Sequence, residues 1–128
     1  MRRVHHIALR TADIERLGAF YRDYFGLQER HDQRPRAVWL GLEEAVLMIE
    51  RRAADEPDIP RGTLELVAFA GSAEERLRLR ARLASEGRLE AESEHTVYFR
   101  DPDGRRVALS SYPLPDGVRA KSGEGRTP

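Results

Sequence analysis

The chain contains no cysteine, which excludes disulfides, thiol nucleophiles and metal sites with cysteine ligands. It has no net charge, because 22 Lys and Arg balance 22 Asp and Glu, so no overall field favours nucleic acid or an anionic membrane. No run approaches the roughly 18 consecutive apolar residues of a membrane span, and the N-terminus lacks the apolar segment of a signal peptide. We therefore expect a soluble cytoplasmic protein that binds neither nucleic acid nor membrane.

Several catalytic signatures are also missing from the sequence. It contains no phosphate-binding loop, nucleophile elbow or dinucleotide fingerprint. A length of 128 residues allows one domain or two closely packed half-domains, without room for separate catalytic and regulatory modules.

One supersecondary unit occurs twice in the sequence. Residues 6–9 read as a strand that leads into an amphipathic helix beginning after Asp13, and residues 65–69 lead in the same way into a helix beginning after Ser72. Each helix is followed by a glycine stop. The two copies are about 60 residues apart, and such a repeat predicts a site where the copies face each other.

Residues 76–83 are ambiguous, because their apolar residues alternate with period two and favour a strand. Ser72 and Glu75, however, have the spacing of a capping box at a helix N-terminus. Strong helix formers follow, and Gly87 is a suitable stop. We therefore predict a helix here.

Further strands complete each copy. Residues 37–42 and 45–50 read as two strands joined by an acidic turn, and residues 96–99 and 106–110 flank an Asp-Pro-Asp-Gly turn typical of a hairpin.

The pattern predicts an α+β fold of two tandem βαβββ modules. The first module covers residues 1–52 and the second covers residues 63–112, joined by a proline-containing linker at 53–62. Residues 113–128 have few apolar side chains, and we expect a disordered tail.

Specific segments are similar to a known family. They are Val4-His5-His6-Ile7-Ala8-Leu9, Asp13-Ile14-Glu15-Arg16-Leu17, Phe20-Tyr21, Tyr24-Phe25-Gly26-Leu27, Gly71-Ser72 and Asp101-Pro102-Asp103-Gly104. In order and spacing, over residues 4–112, they resemble the vicinal oxygen chelate superfamily, which includes glyoxalases, bleomycin and fosfomycin resistance proteins, extradiol dioxygenases and methylmalonyl-CoA epimerase. The resemblance implies a mixed sheet curled around a cleft. It specifies the fold more than the activity, because this fold hosts lyases, isomerases, oxygenases and binding proteins.

The resemblance also implies where a divalent metal would lie. Typical members hold zinc, nickel, iron or manganese with a histidine from the first strand and a glutamate from the last strand of each module. His6 matches the first histidine. Met48 and Ala108 stand where the two glutamates are usual.

The fourth position has two alternatives. Counting back from Ser72 places Glu65 at the second histidine position, whereas aligning Ala8 with Ala68 places Leu66 there. The choice matters because a shift of one residue moves the side chain to the other face of the strand.

These residues define the candidate site. His6 and Glu65 are the candidate metal ligands and the candidate catalytic pair, although such a pair also serves as a structural ion pair in many proteins. Trp39 and Tyr98 fall at equivalent strand positions. Depending on the register they would line the cleft, where they would suit a flat ligand, or pack beneath the helices in the core. The full set of candidate ligand-binding residues is Arg10, Trp39, Met48, Glu50, Val67, Phe69, Tyr98, Ala108 and Ser110.

Two functions remain open from the sequence. The first is a metal-degenerate member of the superfamily that binds a small organic molecule and needs no cofactor. The alternative is a glyoxalase-type lyase or isomerase that uses His6 and Glu65 with a weakly bound divalent metal. In either case we expect a homodimer, since short strands leave sheet edges that a partner can cover.

Overall fold

The computed structural model describes residues 2–115 and 118. Most of the predicted tail, at residues 116–117 and 119–128, lies outside the described residues. The elements in chain order are β1 (His6–Thr11), α1 (Ile14–Phe25), β2 (Glu29–Gln33), β3 (Ala37–Leu42), β4 (Ala45–Arg51), β5 (Leu66–Ala70), α2 (Ala73–Ser85), β6 (Ala91–Glu92), β7 (Thr96–Arg100) and β8 (Arg106–Ser110). This order confirms the two tandem βαβββ modules. Residues 52–65, between the modules, contain neither helix nor strand.

Both helices begin at the predicted caps. The Asp13 carboxylate accepts a hydrogen bond of 3.0 Å from the backbone N–H of Arg16. At α2, Ser72 and Glu75 bond reciprocally to each other's backbone N–H, at 3.0 and 2.9 Å. This capping box satisfies donors that a helix start leaves unpaired, and the helix prediction for residues 76–83 is confirmed.

Each module forms its own four-stranded mixed sheet. The strand orders are β1-β4-β3-β2 and β5-β8-β7-β6, with the first pair in each sheet parallel and the others antiparallel. The registers of the two sheets correspond residue by residue. The equivalent pairs are Ala8 and Ala68, Met48 and Ala108, and Trp39 and Tyr98.

One face of each sheet packs into a core shared by both modules. Helix α1 supplies aromatic side chains to both sides of this core. The ring centroid of Phe20 lies 5.7 Å from that of Phe99 in the second module. Phe25 lies 4.2 Å from Phe69 of β5. The opposite face of each sheet, called the outer face below, carries the alternate residues, and the two sheets do not close around a cleft within one chain.

A buried hydrogen-bond network also joins the modules. The Tyr21 hydroxyl donates to the Asp101 carboxylate at 2.8 Å. The same carboxylate accepts from the backbone N–H of Asp103 and of Arg105 at 2.8 and 3.1 Å, and pairs with the Arg105 guanidinium at 3.2 Å. Arg105 also donates to the carbonyl of Arg10 at the end of β1. Burial and the nearby Asp101 charge raise the pKa of Tyr21 well above its usual range, so its hydroxyl remains a donor.

Among the described residues, no helix is long and apolar enough to cross a membrane.

Candidate functional site

The outer face of the first sheet brings together most of the candidate residues of the first module. His6, Ala8 and Arg10 of β1 lie beside Val46, Met48 and Glu50 of β4, and Trp39 of β3 lies directly opposite Met48. The parallel pairing of β1 with β4 therefore places His6 and Met48, two residues apart in register, on one surface.

Trp39 is held in place by its neighbours on β2. Its indole N–H donates to the Gln33 side-chain oxygen at 3.2 Å, and its ring lies 4.8 Å from the His31 ring in an edge-on arrangement. The indole is half-buried, which leaves part of it available to a ligand on the outer face.

Arg10 is occupied by carboxylates rather than free to bind an anion. Its guanidinium donates to Glu56 of the linker at 2.7 Å and to Glu50 at 3.3 Å. The bonds from Arg10 and from the backbone N–H of Ala53 lower the pKa of Glu56 to about 2. Arg10 and Glu50 therefore tie the end of the first sheet to the linker.

His6 lies at the exposed start of β1. Its Nδ1 atom is 2.9 Å from Nδ1 of His5, and the two rings meet edge to face. Since only one of two facing nitrogens can donate, the contact requires one ring to present a lone pair to the other. The Nε2 atom of His6 has no protein partner in residues 2–115.

The outer face of the second sheet is more closed than that of the first. Ala108, the equivalent of Met48, is fully buried at 0% exposure. The guanidinium of Arg106 lies 4.3 Å above the Tyr98 ring and also pairs with Glu90 at 3.0 Å. The hydroxyls of Thr96 and Ser110 are 2.8 Å apart. A ligand on this surface would therefore contact Tyr98 together with a charged Arg106.

The pairing register answers the question left open between Glu65 and Leu66. Because Ala8 is equivalent to Ala68, Leu66 occupies the position of His6, and the alignment that places Glu65 there is corrected. Glu65 precedes β5 and shares the core-facing side with Val67 and Phe69. Within the described residues, no hydrogen bond or ion pair joins Glu65 to His6.

The candidate residues therefore divide between two places. His6, Arg10, Trp39, Met48, Glu50, Tyr98, Ala108 and Ser110 lie on the two outer faces. Glu65, Val67 and Phe69 instead line a cavity between the modules. The two groups differ by one residue in the register of β5, and such a shift moves a side chain to the other face of a strand.

The donor set does not fit the metal that the resemblance implies. The four equivalent positions hold His6, Met48, Leu66 and Ala108. Only the imidazole suits a borderline divalent metal, because a thioether is soft and the other two side chains have no donor. Among the described residues, no three His, Asp or Glu side chains are placed to hold an ion.

The comparisons identify the family. A family model described as the Glyoxalase/Bleomycin resistance protein/Dioxygenase superfamily matches residues 3–109, and the chain belongs to this superfamily. The tandem modules and the register equivalences described above are those of its fold. No curated protein sequence matches the chain.

Solved structures of similar fold come from several bacteria. Lactoylglutathione lyase from Agrobacterium tumefaciens is 24% identical with a TM-score of 0.63, covering 82% of this chain and 90% of that one. A possible glyoxalase from Bacillus cereus is 21% identical with a TM-score of 0.71, covering 86% and 99%. The fosfomycin resistance protein FosX from Listeria monocytogenes is 19% identical with a TM-score of 0.71, covering 93% and 98%. At these identities the likeness concerns the fold.

Proposed function

We propose that this protein binds a small organic molecule between the outer faces of its sheets and does so without a resident metal. The observation that carries the proposal is that both modules lack the usual glutamate in the same way. In each module the glutamate position is apolar, Met48 or Ala108, and the residue opposite it on the neighbouring strand is aromatic, Trp39 or Tyr98. Apolar side chains beside aromatic rings favour a flat, partly apolar ligand over a coordinated ion.

A second copy of the chain is part of this proposal, because the two outer faces of one chain do not enclose a cleft. The strands β1 and β5 are sheet edges with unpaired backbone groups. Exposed apolar side chains accompany them: Val4 before β1 is 58% exposed, and Leu64 and Leu66 at the start of β5 are 68% and 37% exposed. A symmetric pair would set the first sheet of one copy against the second sheet of the other, which encloses two clefts.

The first prediction concerns this assembly. Light scattering at micromolar concentration is expected to give twice the chain mass of 14.6 kDa. Ala68→Arg places a charge in the middle of the exposed outer face of β5 and is expected to give a monomer that still folds. Ala81→Arg, on the exposed side of α2, is the matched control and should remain dimeric. A monomeric parent protein would contradict the proposal.

The second prediction concerns ligand binding on the outer face. Trp39 is the only tryptophan, so intrinsic fluorescence reports directly on this surface. In a screen of small aromatic compounds, a ligand of the site is expected to change Trp39 fluorescence saturably, and prior dialysis against a chelator should not alter its affinity. Tyr98→Ala is expected to weaken binding by about tenfold through loss of stacking.

Two controls separate this function from the alternative enzyme. Tyr112→Ala removes an exposed tyrosine outside the sheets and should leave the affinity unchanged. A fluorescence change that required added zinc or nickel and disappeared in His6→Ala would instead support metal-dependent glyoxalase-type chemistry.

A further inference from the structure

A cavity of about 380 Å³ lies between the two modules, on the core-facing side of β5, and its lining also includes Leu66 and Arg106 from the outer face. Leu9 and Leu47 form its wall in the first module, and Val67 of β5 faces them from the second. Ile59 and Pro60 of the linker close one side. The cavity has the size of a small-molecule site, and most of its lining is apolar.

One carboxylate in this lining, that of Glu65, is exposed to water and lacks a protein partner. No hydrogen bond or ion pair involves the Glu65 side chain anywhere in residues 2–115, and its backbone N–H bonds the Thr63 hydroxyl at 3.4 Å. Arg105 and Arg106 also line the cavity, but both are engaged elsewhere. Arg105 pairs with Asp101 and a neighbouring turn carboxylate at 3.2 Å each, and Arg106 pairs with a third carboxylate at 3.0 Å. Glu65 is therefore the charge of the cavity that a ligand can satisfy.

Two aromatic rings accompany this carboxylate. Tyr21 and Phe69 line the same cavity, with ring centroids 6.1 Å apart. The Tyr21 hydroxyl is held by Asp101, which fixes the orientation of its ring. The negative face of an aromatic ring attracts a cation, and the attraction grows as the cation loses water.

We propose that this cavity binds a small apolar ammonium ion. The charged nitrogen pairs with Glu65 at the mouth, and the apolar part of the ligand lies among the aliphatic and aromatic side chains inside. The cavity shares Leu66 and Arg106 with the outer face of the second sheet, but Glu65, Tyr21 and Phe69 are not part of that face.

The test uses three probes of similar shape and different charge: phenethylammonium, the neutral 2-phenylethanol and the anion 3-phenylpropionate. Calorimetry on the intact chain is expected to show binding of phenethylammonium about fivefold to tenfold tighter than of the alcohol, and no binding of the anion. Glu65→Gln keeps the shape of the side chain and should remove this preference. Glu43→Gln removes an exposed carboxylate outside the cavity and should preserve it.

Trp39 fluorescence locates the probe. It should remain constant while phenethylammonium saturates the cavity, because the indole lies on the outer face of the other sheet. Equal affinity for the amine and the alcohol, an unchanged preference in Glu65→Gln, or a change in Trp39 fluorescence that saturates at the same concentration as the calorimetric signal would each overturn the proposal. Failure of the outer-face proposal would appear as the absence of any ligand in the Trp39 fluorescence screen. That result is independent of the calorimetric result for the cavity.

Discussion

Asp101→Ala is expected to lower the melting temperature by about 15 °C. The carboxylate is 4% exposed and joins α1, the turn before β8 and the Arg105 guanidinium. Its removal leaves the buried Tyr21 hydroxyl without its acceptor and takes from the nearly buried Arg105 guanidinium its most buried carboxylate partner. Breaking such a buried pair costs about 3–5 kcal/mol, and each kcal/mol corresponds to about 4 °C in a domain of this size.

Thermal unfolding followed by circular dichroism measures this effect. Asp103→Ala is the matched control, because Asp103 belongs to the same turn and binds the same Arg105 but is more exposed, and its replacement should cost about 3 °C or less. If the two variants melted together, the buried network would not be what holds the turn to α1.

The second large effect is the creation of a metal site. The triple change Met48→Glu, Leu66→His and Ala108→Glu restores donors at the three positions that lack them. We expect a zinc affinity of about 10 kcal/mol, or roughly 0.1 µM, measured by calorimetry. Binding should be tighter at pH 8 than at pH 6, because a ligating imidazole must be deprotonated. Without metal the variant should be less stable than the parent, since position 108 is fully buried.

Two controls make this experiment specific. In the first, Glu65→His replaces Leu66→His in the triple variant. The histidine then lies on the core-facing side of β5, and tight binding is expected to disappear. In the second, Ala68→Arg is added to the triple variant, and the loss of the dimer should separate the two halves of the site. Tight zinc binding by the first control would show that the register assigned here is misplaced.

The architecture could be predicted because its signals are local. The repeat, the Asp13 cap and the Ser72 capping box each depend on residues within a few positions of one another. The alternation of apolar residues in 76–83 was the conflicting signal for α2. The capping box outweighed this alternation because it pairs backbone N–H groups that are left free only at the start of a helix.

The candidate site was less predictable because its geometry depends on partners distant in sequence. Glu65 and Leu66 are adjacent, and only the pairing of β5 with β8, about 40 residues later, decides which of them lies on the outer face. The same pairing places Val67 and Phe69 on the core-facing side. Arg10 looked free on its strand, but its partner Glu56 is in the linker, where no periodicity indicates a contact.

The shared core has a consequence for how the two repeats unfold. Phe20 and Tyr21 of the first module are buried, Phe25 is partly buried, and the three contact β7, the turn and β5 of the second module. Neither half therefore carries a complete apolar interior of its own. Separated halves would expose these rings to water and associate or unfold. We therefore expect the two repeats to unfold together as a single cooperative unit.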